Sequence, residues 1–168
     1  MKIMRVLLCC AFMGNALVGM VLSHDPNDPL TWPRLKKTNE GIEQLKKAVF
    51  EKADPKVVQK LINEIKATSV NPKSRLNPHE AYYMWHDIFE PNKAALVGNA
   101  ESAARVVDVQ VQNLAKRGKA IPADLQMQHG NARTNIHLVK DFLYPLEKEI
   151  KFLSDLQPAP NVEAARNK

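Results

Sequence analysis

Cysteine is nearly absent. Cys9 and Cys10 are the only two in 168 residues, so nothing after residue 10 can form a disulfide frame, a thiolate metal site, a cysteine nucleophile or a covalent haem attachment. Glycine is also scarce: six residues, none clustered, leave no phosphate-cradling loop. Lysine and arginine are interspersed with glutamate and aspartate, and no run of one sign is long enough to form a nucleic-acid stripe. The longest apolar stretch, Val6 to Val21, is broken by Gly14, Asn15 and Gly19. It falls short of the roughly 18 uninterrupted apolar residues that a spanning helix wants.

That stretch has another reading. Lys2 and Arg5 precede it, and Val21 and Ser23 stand at the two small-residue positions before a cleavage point, so residues 1–23 are expected to be a secretory signal peptide. An uncleaved anchor is the alternative. Lipoprotein processing at Cys9 or Cys10 would want a small residue where Leu8 stands. Cleavage after Ser23 would remove both cysteines and leave residues 24–168, 145 in all, enough for one domain with a real core. The 24 Lys and Arg fall to 22 without Lys2 and Arg5, against 18 acidic residues. That net charge of about +4 permits at most a peripheral attraction to an anionic membrane surface.

The remainder reads as helix. HDPNDPLTWP, 24–33, carries three prolines and is expected to be an extended arm. Leu35, Thr38, Ile42, Leu45 and Val49 then step by threes and fours along one amphipathic face, which Gly41 weakens. Asp54-Pro55 is a cap and first-turn proline opening a second helix with Val58, Leu61, Ile62 and Ile65 inward. A loop is expected over 68–78. Asn77-Pro78 repeats the capping device before an aromatic segment, AYYMWHDIFE, which Pro91 is expected to interrupt. Leu96, Ala100, Ala103, Ala104, Val107, Val111 and Leu114 line one side of a longer helix that Gly118 terminates. The tail at 157–168 is polar, proline-interrupted and expected to be flexible.

From about Pro122 the last helix places Ala132, Ile136, Val139, Leu143, Leu146, Ile150 and Leu153 at alternating intervals of four and three. Such a heptad seam specifies coiled-coil-like packing, either in a monomer's own core or against a partner helix. Pro145 lies inside it and is expected to kink the helix without ending it. The fold class expected is therefore all-α: a helical bundle over 34–156 with a long kinked C-terminal helix.

Candidate chemistry is sparse. His129 and His137 in QHGNARTNIH are eight residues apart, about 12 Å along a helix axis, too far to share an ion. His79-Glu80 lacks the second histidine four positions on that a zinc-protease helix needs. A metal site assembled across helices from His86, Glu90 and His129 or His137 is the remaining arrangement. Ser69, Ser74, Ser102 and Ser154 lie in loops or on helix surfaces without a nucleophile-elbow setting. The ring-rich cluster of Tyr82, Tyr83, Met84, Trp85 and Phe89 suits the plug of a small core or a ligand-binding wall. Glu147 and Glu149, alternating with Lys148 and Lys151, form a solvated face. No catalytic residue, metal site or cofactor is assigned.

The DP-rich arm LSHDPNDPLTWPRL, the amphipathic GIEQLKKAV and the Gln128-His129-Gly130-Asn131 element before Ile136, Val139 and Leu143 together resemble the minor pilin family of conjugation and type IV secretion systems. In that family such an element starts the long C-terminal helix. The resemblance implies a helical bundle in the periplasm or at a pilus tip that assembles with other envelope subunits and has no catalytic role. The leading expectation is thus an exported, non-enzymatic subunit acting by protein contact with other envelope or secretion-system proteins, or with itself, through its seam. Two alternatives are a periplasmic bundle binding a small ligand or metal between its helices, and a secreted toxin inhibitor or effector.

Overall fold

A computed structural model describes residues 32–70, 76 and 78–155. The expected signal peptide, most of the arm, the Asn77 cap and the tail lie outside them. The described residues are all-α: α1 (Pro33–Phe50), α2 (Pro55–Ser69), α3 (Pro78–Tyr83), a π-helical turn (Met84–Phe89), α4 (Glu90–Lys116) and α5 (Ala123–Asp155). No helix among them is long and apolar enough to cross a membrane.

Local chemistry sets the ends of these elements. Asp54 caps α2, its Oδ1 accepting from the Lys56 backbone N–H at 2.7 Å, with Pro55 as the first helical residue. Both helix-to-helix turns close the same way. Gly118 has φ +61°, its N–H donating to the Ala115 carbonyl while that of Lys119 donates to Leu114. Lys52 takes φ +57°, with N–H bonds from Lys52 to Val49 and from Ala53 to Ala48. These paired bonds around a left-handed residue satisfy carbonyls that a helix end leaves open. At Lys52 an ordinary side chain occupies a conformation that favours glycine.

Pro91 does not interrupt the helix, contrary to the reading of its sequence. α3, the π turn and α4 run on without a break from Pro78 to Lys116. In an α-helix the proline ring would meet the carbonyl four residues back, that of Asp87. The preceding turn is instead wound with one extra residue, the Glu90 N–H donating to Trp85, five back, and the widened turn accommodates the ring. Asn92 Nδ2 donates to the Ile88 carbonyl at 2.7 Å. The same turn buries Met84, Trp85, Ile88 and Phe89.

α1 packs on α2 and α4, and α5 on α2, α3 and α4, making four rods around one core. Leu35, Ile42, Leu45, Val49, Val58, Ile62, Ile65, Met84, Ile88, Phe89, Leu96, Val139, Phe142 and Ile150 fill it. Gly41, expected only to weaken α1, stands where α2 comes closest: a Cβ there would lie 2.8 Å from Ile65 Cγ1. α2 reaches Ser69, further than expected. Ser69 and Ser154 are buried, not on loops or surfaces; Ser69 Oγ donates to the Ile65 carbonyl, while the Ser154 hydroxyl, like that of Thr38, has no hydrogen-bond partner among the described residues.

Candidate functional site

Six of the seven seam residues of α5 belong to one packed interior. Val139, Leu143, Leu146 and Ile150 are buried in the main core, with Ile136 and Leu153 half-buried against it. Ala132 is buried too, outside that cluster. α5 continues through Pro145. Phe142 and Asn135, beside the seam, are buried as well. The seam is covered by helices of the same chain, so a surface open to a partner lies elsewhere.

The α4/α5 hairpin supplies one. Asn131 and Asn135 of α5 donate from Nδ2 to the carbonyls of Lys52 and Ala53 at 3.2 and 2.9 Å, which fixes the level at which the α1/α2 pair ends. Beyond it α4 and α5 continue as a two-helix projection, and no residue from Asp108 to Asn131 is buried. At the base of the projection the α4/α5 seam is made of smaller residues: Ala103, Ala104, Val107 and Ala132 are buried but lie outside the main core cluster. Val111 and Leu114, expected on the inward stripe, are only half-buried because no third helix reaches them.

The α4 face of Val106 and the α5 face of Met127 continue those that α1 and the α1–α2 turn meet lower down, whereas Val109, seven residues on from exposed Ser102, points to solvent on the outer side of α4. Asn92, Asn99, Val106 and Asn113 recur every seven residues on α4, hence on one face, and Asn92 Oδ1 accepts from Lys46 of α1 at 3.0 Å. Met127 lies one turn before Asn131, on the α5 face that meets the α1–α2 turn. Val106, Val109 and Met127 are 53%, 50% and 62% exposed, and Phe50 and Val57, near the same end, are exposed as well. Five of the seven exposed large hydrophobics therefore gather at this end, where single scattered ones would need no explanation.

Polar groups lock the base of the projection. His129 Nε2 lies 2.6 Å from Asp108 Oδ1, and Arg133 Nη2 donates to the same oxygen at 3.2 Å. The His129 hydrogen bond holds the Asp108 carboxyl below its usual range, partial burial opposing it and Arg133 assisting. Within QHGNARTNIH, His129, Asn131, Arg133 and Asn135 are thus fastenings, and Gln128–Asn131 lies inside α5, more than a turn past its start at Ala123. Neither Asp108 nor Asn135 was singled out in the sequence, and Asn131 stood there only as part of the Gln128–Asn131 element. The four-residue spacing of Asn131 and Asn135 beside the seam was the available signal.

The other histidines are dispersed. His86 Nδ1 sits 2.9 Å from Glu90, one turn on, and His79 packs edge-on against Tyr83 beside Trp32. The metal site considered across helices from His86, Glu90 and His129 or His137 is not assembled, and no group of three metal-ligating side chains occurs among the described residues. The aromatic cluster divides: Met84, Trp85 and Phe89 are buried, while Tyr82 and Tyr83 stay half-exposed. Burial raises the Tyr83 phenol, with Asp87 and Tyr82 adding to the effect. Glu147 is not simply solvated, since it takes Lys93 of α4 at 2.5 Å. A groove of about 670 Å³ between α2 and α5 is lined by Gln59, Asn63, Ala67, Thr134, Leu138 and flanking lysines.

No protein-family model matches the chain, and no curated protein and no solved structure is significantly similar to it.

Proposed function

We propose that this chain is an exported, non-enzymatic assembly subunit that acts by protein contact through the projecting end of its α4/α5 hairpin. The observation that carries the reading is the gathering of exposed Phe50, Val57, Val106, Val109 and Met127 around the end of the bundle where the α1/α2 pair stops. Apolar side chains gathered at one exposed end of a helical bundle suit a partner helix laid against them. The histidines, asparagines and Asp108 of this region are engaged in holding helices together, which favours a scaffold role over catalysis. The setting is the periplasm or the cell exterior, with other envelope or secretion-system proteins as partners, in the manner of the minor pilins that the arm and the Gln128–Asn131 element resemble. Nucleic acid has no place in this reading, and membrane contact is peripheral at most.

Native mass spectrometry of the full chain from its producing cells tests it. The expected result is a chain cleaved near Ser23 in complex with another envelope protein. Val109→Glu/Met127→Glu should abolish that complex while leaving the melting temperature within a few degrees. A free chain carrying a bound metal or small molecule would overturn the reading in favour of a ligand-binding bundle, and retention of residues 1–23 in the cytoplasm would overturn the export.

A further inference from the structure

We infer that the row of rings along the outer side of α3 is a seat for a polyproline-type strand, and that its occupant is this chain's own arm, residues 25–31. The inference stands apart from the contact role proposed above.

The arm repeats in threes. Asp25-Pro26-Asn27, Asp28-Pro29-Leu30 and Thr31-Trp32-Pro33 follow one another, and a polyproline II helix has three residues per turn, so Pro26, Pro29 and Trp32 share one edge of it. Local sterics favour that helix. Each proline fixes its own φ at about −65° and keeps the residue before it out of the α region, which constrains Asp25, Asp28 and Trp32. Trp32, the member of that edge among the described residues, has φ −63° and ψ 133°, within the scatter of the polyproline conformation.

Trp32 is already seated on the row. Its ring centroid lies 5.7 Å from that of His79 and 5.8 Å from that of Tyr83. From Tyr83 the row continues to Tyr82 at 5.5 Å, and from Tyr82 to His86 at 4.5 Å. His79 is exposed and Tyr82, Tyr83 and His86 are half-buried, whereas Met84, Trp85 and Phe89 of the same segment are in the core. At about 3.1 Å per residue, Pro29 stands about 9 Å and Pro26 about 19 Å from Trp32. A strand laid along the row therefore brings Pro29 level with Tyr82 and Pro26 to the far end, at His86. Polyproline segments dock by such proline-on-ring contacts, and the phenols can donate to arm carbonyls, which this helix leaves without internal partners. Asp25 and Asp28 fall on another edge and keep their water. Two proline contacts are weak alone, but the tether at Trp32 raises the arm's effective concentration to the order of millimolar. The tail's Pro158 and Pro160, two residues apart, do not share an edge of such a helix and fit the row less well.

A protease that cuts before aspartate, applied to the natively folded full chain, reads whether the arm is covered. Cleavage between Asn27 and Asp28 should run roughly tenfold or more slower than in a free peptide of residues 24–34. Tyr82→Ser/His86→Ser should restore the peptide's rate with helicity unchanged. A second measurement leaves the folded body unaltered: in NMR spectra of the full chain, ring protons of Pro29 should show nuclear Overhauser contacts to Tyr82. Cleavage as fast as in the peptide overturns the inference, as does a Pro29 without contact to Tyr82 or His86. Protection that rises with chain concentration alongside a dimer in ultracentrifugation would overturn it in favour of a second copy's arm. An unprotected arm, with added oligoproline shifting the Tyr82 and His86 resonances, would overturn it in favour of an outside partner.

Discussion

The body of the bundle and its projecting hairpin share α4 and α5 yet are held together by different means. In the body, large aliphatic and aromatic side chains from every rod meet in one interior, and Leu35, Ile42, Phe89, Phe142 and Ile150 are almost fully removed from water. At the base of the hairpin small residues make the seam and polar groups fasten it, while valines and a methionine of the hairpin end face solvent. The hydrophobic effect stabilises in proportion to apolar area removed from water, so the same two helices pass from a strongly held region into a weakly held one. A region that gives up its own burial has apolar surface left to offer a partner.

The largest expected effect tests the body. Val139→Asp places an unpaired charge in a fully buried site and should cost about 3 kcal/mol or more, enough to unfold much of the chain. Leu96→Ala should cost about 2–5 kcal/mol. By contrast, Val109→Ser and Met127→Gln in the hairpin should stay within about 0.5 kcal/mol. Urea midpoints compare all four, and a hairpin cost equal to the body's would erase the distinction. Amides between residues 108 and 131 should also exchange with solvent sooner than those of the body, since fewer buried contacts oppose their opening; equal protection would count against it.

The junction between the regions comes next. Asn135 is fully buried, and its Nδ2 donates to the Ala53 carbonyl while its Oδ1 has no partner among the described residues. Asn135→Ala strands that carbonyl and should cost about 1–3 kcal/mol. Asn131→Ala, at a more open site, should cost less. Should both prove neutral in urea titration, the asparagine pair does not set where the projection begins.

How much of this was legible in the sequence follows the same division. The α5 seam was legible because burial imposes a period, and four of its seven positions are the large aliphatics Val139, Leu143, Leu146 and Ile150 that the main core excludes from water. The capped start of α2 and the glycine end of α4 were legible because each is a local backbone requirement written in a few residues. Pro91 misled because the rule for proline assumes an α-helical turn, and the π turn before it changes the acceptor. Asp108 with His129, and Asn131 with Lys52, were illegible because each joins residues far apart in the chain, and a polar side chain bears no mark of whom it will meet. The openness of the hairpin was hidden for a related reason: Val111 and Leu114 look like core until one knows that the α1/α2 pair stops short of them.

Glycines give a smaller contrast. Nothing lies within 4 Å of a Cβ built at Gly98 or Gly130, so alanine there should stabilise by about 0.5–1 kcal/mol through helix propensity. At Gly41 the same change meets Ile65 Cγ1 at 2.8 Å, and the stiff branched side chain yields poorly. Gly41→Ala should therefore lose the benefit the other two gain, and thermal melts of the three variants read the sign directly. A gain at Gly41 matching the others would mean that α1 and α2 are not in close contact there.

The smallest effect is acid sensitivity at the hairpin base. Asp108 titrates lower in the folded chain than in the unfolded one, where a carboxyl sits near 3.9 (about). Its contribution is therefore fully present above about pH 4 and is lost as pH falls through the depressed folded value. His129 and Arg133 are the groups facing it across the helix pair. Asp108→Asn removes the titrating group, so the variant should be slightly less stable at pH 7 and should lose less on going from pH 7 to pH 3 than the unaltered chain does. Urea midpoints at the two pH values settle it, because a clasp that only decorates the surface leaves the two pH differences equal, whereas one that binds α4 to α5 narrows the gap.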